Sequence, residues 1–357
     1  MEIIALKKWF QQEKRLLPWR NSPTPYQVWI SEVMLQQTQV ATVITYFERW
    51  MKHLPSIQAV AEAPLEDIIK LWEGLGYYAR ARHIHTAAIY LRDHHNGELP
   101  STRKELEKIK GLGPYTVGAI LSFAFHQKAA AVDGNVSRVL ARYYLIENPI
   151  THTKTQYQLR ELAERLLPEE EPWIVTEALI ELGAKICQKT PQCSICPIRP
   201  SCMGSLTEKA ALLPTRAKKI TYISLIKKAT ILIHNGEILL KKGNKGEVMA
   251  DLYEFPMFEE GVKAALGLAA SFIQNYPIVK YNYTRYRVTL IGSLWEVKKK
   301  KRVEGFSWIS LDQANKLPFS SGHRRLFNLF NSTYFLTLIV LSLGYPSFFI
   351  KCFLNSL

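Results

Sequence analysis

Four of the five cysteines in the chain lie within 16 residues, and no other feature constrains the fold as tightly. Cys187, Cys193, Cys196 and Cys202 form the spacing C-x5-C-x2-C-x5-C. The N-terminus carries no secretory signal, so a reducing compartment is expected, where such an array favours a metal site over disulfides. Zinc sites usually pair two separated Cys-x2-Cys or Cys/His knuckles, whereas one central pair with longer arms fits an iron–sulfur cluster better. We therefore predict an iron–sulfur centre, with zinc as the alternative.

The composition indicates a folded protein with a polyanionic partner. At 357 residues the chain is long enough for two domains, and its hydrophobic content of 47% is typical of globular proteins. Lys and Arg number 46 against 31 Asp and Glu, which gives a net charge of +15. This excess of positive charge is spread through the chain, which favours nucleic acid as the partner and, less often, an anionic membrane surface. With no secretory segment, we expect the protein in the cytoplasm.

A glycine-rich turn precedes a predicted helix in the middle of the chain. Gly111 and Gly113 lie just before Pro114, a residue type favoured in the first turn of a helix. Both glycines can adopt positive φ and allow another backbone to approach closely. Such a turn at a helix N-terminus presents unpaired N–H groups to a phosphate. The alternative is a tight turn between packed helices, with Asp133 as the N-cap of a later helix.

Glu32 lies in an apolar sequence within a predicted helix-turn-helix that begins at Tyr26. Burial disfavours the charged form of a carboxyl group, so its pKa is expected to rise, as a general acid near neutral pH requires. The alternative is a buried glutamate bonded to a helix end or an arginine. Polar residues that can bond base edges, or simply form a hydrophilic turn, follow at Gln36, Gln37, Thr38 and Gln39.

A second glycine-containing segment places Tyr77 and Tyr78 close to Arg80 and Arg82. Aromatic rings beside guanidinium groups suit base stacking and phosphate contact. A tyrosine pair in the core with arginines on the surface would give the same pattern, and the sequence leaves both interpretations open.

The composition changes after Cys202. We predict a linker at 206–224 and an α+β domain at 225–331, with a β-hairpin turn at Asn235-Gly236. A helix is expected near 260–275, with strands near 285–297 and 306–309. The residues 332–357 form an apolar tail of uncertain status, because 334–350 is only marginally long enough to span a membrane.

Five ordered segments resemble the helix-hairpin-helix DNA glycosylase superfamily and, within it, the MutY-type adenine DNA glycosylases. They are Ser31–Gln39, Gly74–Arg80, Gly111–Thr116, Val132–Asn135 and the cysteine loop 187–202. The resemblance covers residues 1–205 and implies a mainly α-helical glycosylase domain. It also implies a structural [4Fe–4S] cluster on Cys187, Cys193, Cys196 and Cys202, although the first spacing is one residue shorter than is usual in the family.

The resemblance also implies roles for individual residues. Glu32 would protonate the adenine ring, Asp133 would stabilise the oxocarbenium-like sugar, and Tyr115 and Asn135 would support them by hydrogen bonding. The two carboxyl groups should have pKa values pushed apart, because one is in an apolar segment and the other at a helix start. The implied DNA contacts in this part of the chain are Gln36, Gln37, Thr38, Tyr77, Gly111 and Gly113.

Tyr115 distinguishes between related enzymes. Endonuclease-III-like members carry a lysine here, whose amine forms a Schiff base and permits strand cleavage. A tyrosine cannot do this, so the resemblance implies a monofunctional glycosylase acting on duplex DNA that contains adenine opposite 8-oxoguanine or guanine. We expect a monomer, associated with the nucleoid, and no membrane partner. A catalytically silent DNA-binding protein and a membrane-tethered protein are the alternatives.

The second domain resembles the C-terminal Nudix-like domain of the same family, including the segment Tyr253–Pro256. The acidic metal-binding helix of true Nudix hydrolases is missing from the sequence, which argues against hydrolysis of free nucleotides. Tyr283, Thr284 and Arg285 occupy the place of the Phe-Ser-His triplet with which the family recognises 8-oxoguanine. They are therefore expected to contact DNA.

Overall fold

The chain forms two compact units, Met1–Lys219 and Ile220–Leu357, in a computed structural model. The structure describes residues 1–215, 221–257 and 268–342, with side chains described as far as residue 334. The first unit is helical and the second is built on a β-sheet, so the expected fold class, a helical glycosylase-type domain followed by an α+β domain, is confirmed.

Short helices make up the first unit. They are α1 Ile3–Glu13, α2 Pro25–Leu35, α3 Val40–His53, α4 Ile57–Glu62, α5 Leu65–Leu71, α6 Ala79–His95, α7 Arg103–Leu106, α8 Pro114–Ala119, α9 Gly134–Tyr143, α10 Thr153–Leu166, α11 Pro172–Lys185 and α12 Met203–Leu206. A π-helical turn at Ile120–Ala124 continues α8, and 3-10 turns at Cys193–Ile195 and Arg199–Ser201 lie in the cysteine loop.

Local sequence explains where the helices that carry the site begin. Thr24 forms a capping box with Gln27 at the start of α2, and Pro25 occupies the first helical position. Asp133 caps α9 by accepting a hydrogen bond from the backbone N–H of Val136. Since α2 ends at Leu35 and α3 begins at Val40, the predicted helix-turn-helix is present, with residues 36–39 as its turn.

Helices α9 and α11 pack closely in the core of the first unit. A Cβ atom built on Gly183 of α11 would lie 2.6 Å from the Cβ of Asn135 and 3.0 Å from its backbone. Buried apolar side chains from both helices surround this contact, among them Val136, Leu140, Leu179 and Leu182. The absence of a side chain at Gly183 therefore sets how near α11 can come to the first turn of α9.

The second unit is a mixed sheet followed by two helices. The described strands are β1 Ile223–His234, β2 Glu237–Lys242, β3 Tyr253–Glu254, β4 Ala270–Asn275, β5 Val279–Tyr283, β6 Tyr286–Val297 and β7 Ser307–Ser310, and the helices are α13 Leu311–Lys316 and α14 Ser321–Ser342. The order β3-β2-β1-β6-β4 runs across the sheet, β5 pairs with β6, and β7 pairs with β2. Only the β1–β6 pair of these described strands is parallel.

Asn235 and Gly236 form the predicted hairpin turn between β1 and β2, with φ values of 46° and 75°. Two positive φ angles in a two-residue loop match the right-handed twist of the flanking strands. The core of this unit combines strand residues with aromatic side chains before and along α14, namely Phe255, Phe319, Phe327 and Phe330.

The predicted helix at 260–275 is wrong where the structure describes it. Residues 258–267 lie outside the described residues, but Ala270–Asn275 is the strand β4, paired antiparallel with β6. Phe272 packs edge-on against Trp295 of β6, with the ring centroids 5.3 Å apart. This cross-strand contact outweighs the weak helical preference of the short segment.

The expected linker and tail also differ in detail. Leu213 is buried in the first unit, where its carbonyl accepts a hydrogen bond from Arg142 Nε, and β1 already begins at Ile223. The tail begins as helix, because α14 continues to Ser342, while 343–357 lie outside the described residues. Within the described part of the chain, no helix has both the length and the apolar character needed to span a bilayer.

We predict that Gly183→Ala destabilises the first unit, because the new methyl group would overlap Asn135. Overpacking of this kind lowers the free energy of unfolding by about 1–3 kcal/mol, which exceeds the gain in helix propensity. Gly134→Ala is the matched control, since a Cβ there meets nothing within 4 Å. Chemical denaturation of both variants measures the difference, and equal stability of the two would contradict the packing argument.

Candidate active site and cysteine cluster

A cavity of about 750 Å³, which we call the polar cleft, opens in the helical unit. Side chains from α2, from the start of α8, from the start of α9 and from α11 line it. Four of its lining residues are those to which the sequence resemblance gives catalytic roles, namely Glu32, Tyr115, Asp133 and Asn135. Residues separated by about a hundred positions in the sequence therefore face one another across a single space.

Glu32 is 6% exposed and lies at the wall of the polar cleft. Burial raises the pKa of this carboxyl group to about 7, and the nearby Asp133 contributes in the same direction. Tyr115 Oη donates a hydrogen bond to Glu32 Oε2, which opposes the rise because it favours the ionised form. The result is a carboxyl group that can carry and release a proton near neutral pH.

Asp133 is held more firmly than Glu32. Its Oδ1 accepts a hydrogen bond from the Val136 N–H and its Oδ2 accepts one from Asn135 Nδ2, both at 2.7 Å. Burial raises the pKa of Asp133 as well, although these donors oppose the rise. That the two pKa values are pushed apart remains a prediction. Both pKa values are raised by burial, and the groups differ in how many donors hold the anion.

A charged network on the wall of the polar cleft was missed by the sequence reasoning. The carboxylate of Glu181, 0% exposed, is 2.6 Å from Arg15 Nε and 2.9 Å from Arg20 Nη1. Arg20 Nε also lies 3.3 Å from Glu177 Oε1. These partners are more than 150 positions apart in the chain, and α11 carries both glutamates four residues apart. That i, i+4 spacing was the available signal, but it does not identify the partners.

One face of α9 links the polar cleft to the cysteine loop. Asn135 Oδ1 accepts a hydrogen bond from Arg138 Nη2 at 2.8 Å, and Arg138 Nε donates to the Cys187 carbonyl at 2.8 Å. One turn further along, the buried Arg142 donates to Cys187 Sγ at 3.2 Å and to its carbonyl at 3.1 Å. Together with the Asn135–Asp133 bond, these contacts form a continuous hydrogen-bonded path.

The four cysteines line one small cavity between α9 and the cysteine loop. Burial raises the pKa of the Cys196 thiol to about 11, and the other three sulfurs contribute in the same direction because all four are close together. Among the residues with described positions, no set of three or more His, Cys, Asp or Glu side chains is arranged to hold a single metal ion. Four thiols around one cavity, with Arg142 directed at one of them, fit a thiolate-bound cluster.

The turn between α2 and α3 contributes to the polar cleft. Gln36, Gln37 and Thr38 line it, and Gln36 Nε2 donates to Thr116 Oγ1 at 3.3 Å. Gln37 is exposed with a φ of 57°. Tyr77, which is 55% exposed with a φ of 48°, is not among the residues that line the polar cleft. Both residues are exposed, so both are accessible to an external partner.

Arg80 agrees with neither interpretation left open by the sequence, since it is neither a phosphate contact nor a surface arginine. Its guanidinium is buried and donates to five backbone carbonyls and one hydroxyl, those of Val33, Met34, Gln36, Leu75, Gly76 and Thr38. These bonds fasten the turn after α2 to the segment before α6. Arg80 therefore shapes the surface on which Gln37 and Tyr77 are presented.

Only one of the two glycines before α8 needs its conformational freedom. Gly111 has a φ of 97°, and a Cβ there would lie 2.6 Å from the Cβ of His83. Gly113 is the extended N-cap of α8, with a φ of −79°, and a Cβ there would meet nothing within 4 Å. Of the two glycines, only Gly111 uses the positive φ that both can adopt. Neither glycine is among the residues that line the polar cleft.

In the second unit, Thr284 and Arg285 form the exposed turn between β5 and β6. Thr284 has a φ of 48°, as a two-residue hairpin loop requires. Tyr283 stacks on Tyr281 with the ring centroids 6.1 Å apart, and Lys227 Nζ lies 5.7 Å from the Tyr283 ring. The turn therefore presents an aromatic ring, a hydroxyl group and cations together.

Comparison with known proteins agrees with these two units. Residues 30–165 match the HhH-GPD superfamily of base excision DNA repair proteins, and residues 229–329 match the NUDIX domain. Among solved structures, a thermostable thymine-DNA glycosylase has 27% identity and a TM-score of 0.53, covering 57% of this chain and 95% of its own. A trapped endonuclease III–DNA covalent intermediate has 27% identity and a TM-score of 0.50, covering 58% of this chain and 94% of that one.

Curated relatives narrow the family. Adenine DNA glycosylase of Buchnera aphidicola from Baizongia pistaciae is 39% identical over 247 residues, 69% of this chain and 70% of that protein. The Buchnera enzyme from Acyrthosiphon pisum is 33% identical, over 74% of this chain and 76% of its own length. The mouse enzyme is 44% identical over 207 residues, but the match spans only 40% of its length. The chain belongs to the adenine DNA glycosylases, hydrolases of N-glycosyl bonds.

Proposed function

We propose that the protein releases adenine from duplex DNA where it is paired with 8-oxoguanine or guanine. The observation that carries this proposal is the pairing in the polar cleft of Glu32, whose pKa is about 7, with the multiply hydrogen-bonded Asp133. Breaking an N-glycosidic bond requires a proton for the departing base and negative charge beside the sugar. The base must also leave the stack, and a cleft of about 750 Å³ has room for it.

Glu32 is proposed as the general acid. A group with a pKa of about 7 is half protonated at neutral pH, and it can still transfer its proton to a ring nitrogen of adenine. Tyr115 orients the carboxyl group through the hydrogen bond to Oε2. The neutral acid also avoids placing a second negative charge beside Asp133 before the base enters.

Asp133 is proposed to stabilise the positive charge that develops on the sugar. Asn135, the Val136 N–H and the N-terminus of α9 all favour its anionic form, so the charge is available despite burial. Water then adds to C1′ of the sugar and gives up a proton to the Glu32 carboxylate, which restores the acid and completes the hydrolysis. Because position 115 carries a tyrosine and not an amine, no Schiff base with the sugar forms there, and the product is an abasic site in an intact strand.

The remaining proposed contacts concern the DNA around the base. Gln37 and Tyr77 are exposed at turn tips and would probe the gap and the opposite base, while Gly111 and Gly113 admit a phosphate beside the N-terminus of α8. The turn Tyr283-Thr284-Arg285 would test for 8-oxoguanine. The net charge of +15 supports binding to the phosphate backbone, and such a monomeric enzyme would work on the nucleoid.

The four cysteines are proposed to hold a [4Fe–4S] cluster. Cys187, Cys193, Cys196 and Cys202 supply the thiolates, and Arg142 donates to the sulfur of Cys187. When bound, such a cluster would supply a structural cross-link of the loop and take no part in base release. The four cysteines would then affect catalysis only by positioning other residues. The Cys187 carbonyl accepts a hydrogen bond from Arg138, and Arg138 is linked through Asn135 to Asp133.

Replacement of Glu32 by glutamine is expected to slow adenine release at least 100-fold while DNA binding is retained, since it removes only the acidic proton. The assay uses duplexes with adenine opposite 8-oxoguanine, guanine, cytosine and thymine, with strand breaks counted before and after alkali. Breaks should appear only after alkali, and only in the duplexes where adenine lies opposite 8-oxoguanine or guanine.

The exposed Glu48→Gln variant on α3 is the control. Unchanged release by the Glu32 variant would refute the acid role, and no release by the native protein would favour a silent binder.

The pH dependence of base release should respond to Tyr115. Because the active form of Glu32 is protonated, the native rate should fall as pH rises through about 7. Tyr115→Phe removes a donor that favours the ionised carboxylate, so the pKa of Glu32 rises and the descending limb moves to higher pH. Tyr26→Phe also removes a buried hydroxyl, bonded to the Leu54 carbonyl, but should leave the limb in place. A limb that stays still, or moves to lower pH, in Tyr115→Phe would exclude this assignment.

Chemical analysis of the purified protein tests the cluster. We expect roughly four irons and four acid-labile sulfides per chain, as four thiolates around one cluster imply. Cys196→Ala should lose most of the iron and lower the melting temperature, whereas Ser194→Ala in the same 3-10 turn should change neither. Zinc in place of iron and sulfide would refute the cluster and leave a zinc site held by the same four cysteines.

A further inference from the structure

Two aromatic rings on the wall of the polar cleft have no part in the mechanism above. The imidazole of His126 stacks on the indole of Trp173, with ring centroids 4.2 Å apart and an angle of 26° between the planes. His126 follows the π-helical turn, and Trp173 lies in the first turn of α11. Both line the polar cleft together with Glu32, so they form a flat surface, the ring platform, within the same space.

The exposure of the ring platform is unusual for a packing contact. Trp173 is half-buried and supports His126, which is exposed to solvent. A pair that served only the core would be covered on both sides, as the aromatic residues around Phe319 in the second unit are. The outer ring of a supported stack instead presents its face to whatever enters the cleft, which is how proteins hold unpaired bases.

The backbone also holds the ring platform in place. His126 has a φ of 53°, in the left-handed region that residues other than glycine seldom occupy, and Gln37 on the same cleft has this feature too. The loop that carries His126 is tied to its neighbours through Lys128, which pairs with Glu169, and through Thr176 Oγ1, which donates to the Ala129 carbonyl at 3.4 Å. The ring is therefore presented from a fixed loop.

We propose that the ring platform of His126 and Trp173 is a nucleobase-stacking subsite, which takes a base of the DNA strand that enters the polar cleft. The proposal rests on the proposed function, because it requires DNA in the cleft, and it adds a stacking contact to the acid–base chemistry of Glu32 and Asp133. The shared ligand chemistry is a flat heteroaromatic ring, which is either the extruded adenine or a base adjacent to it.

Binding of uncleavable DNA separates this contact from catalysis. The probe is a duplex with 2′-fluoro-2′-deoxyadenosine opposite guanine, titrated at one salt concentration. His126→Asn removes the aromatic ring but keeps a residue type that tolerates left-handed φ. It should weaken binding about 5- to 150-fold, which is the range for loss of one base stack. His126→Tyr keeps a ring and should stay within a few-fold of the native protein. His152→Asn makes the same side-chain change at an exposed histidine that does not line the polar cleft, and it serves as the matched control.

A second duplex, with a tetrahydrofuran abasic analogue in place of the target adenine, identifies which base is stacked. If His126→Asn weakens binding to both duplexes, the stacked base is a neighbour of the target. If it weakens only binding to the adenine duplex, the stacked base is the extruded adenine. Either result supports the subsite.

The proposal is overturned if His126→Asn binds both duplexes like the native protein, or if His126→Tyr is as defective as His126→Asn. A lower melting temperature with unchanged affinity would assign the rings to packing alone. Failure of the proposed function looks different, since the native protein would then release no adenine from any duplex. Trp173→Leu provides an independent variant, and it should reproduce the loss of affinity caused by His126→Asn.

Discussion

The hydrogen bonds along one face of α9 are the constraint on which the rest of the site depends. Asn135, Arg138 and Arg142 follow the N-cap Asp133 and are three and four residues apart along α9. Their hydrogen bonds connect the polar cleft with the Cys187 backbone and sulfur. The Asp133 side chain is short and lies in a cleft that must stay open to a substrate, so few neighbouring groups can hold its carboxylate in one orientation. Here its orientation is set by a helix start, and that helix is held in turn by the loop of four cysteines.

The two carboxyl groups differ in their hydrogen-bond donors, although burial raises both pKa values. Glu32 has a single described donor, the Tyr115 hydroxyl, while Asp133 has two nitrogen donors and a helix N-terminus. The number and kind of donors, more than the degree of burial, therefore distinguish the two groups, because each donor to a carboxylate favours its ionised form. Arg15, Arg20 and Glu177 add charge to the wall of the polar cleft, and the two arginines pair with the buried Glu181.

Much of this could be predicted from the sequence, because the relevant signals are local. An apolar neighbourhood marked Glu32 as buried, cysteine spacing marked the loop, and Asn235-Gly236 marked a hairpin. Contacts between distant segments gave no such signal. Arg80 looked like a surface cation because its carbonyl partners cannot be read from composition, and Glu181 gave no sign of meeting Arg15. The segment Ala270–Asn275 was misassigned because its pairing with β6 depends on residues twenty positions away.

The π-helical turn at Ile120–Ala124 has a consequence for how this region can change in evolution. A π turn holds one more residue than an α turn, and each helical residue advances the direction of the chain by about 100°. Loss of one residue here would turn Phe123 and His126 away from the polar cleft, while Ile120 and Leu121 would remain buried. A change in the length of this segment should therefore disturb the wall of the polar cleft even where the buried residues of the turn keep their packing.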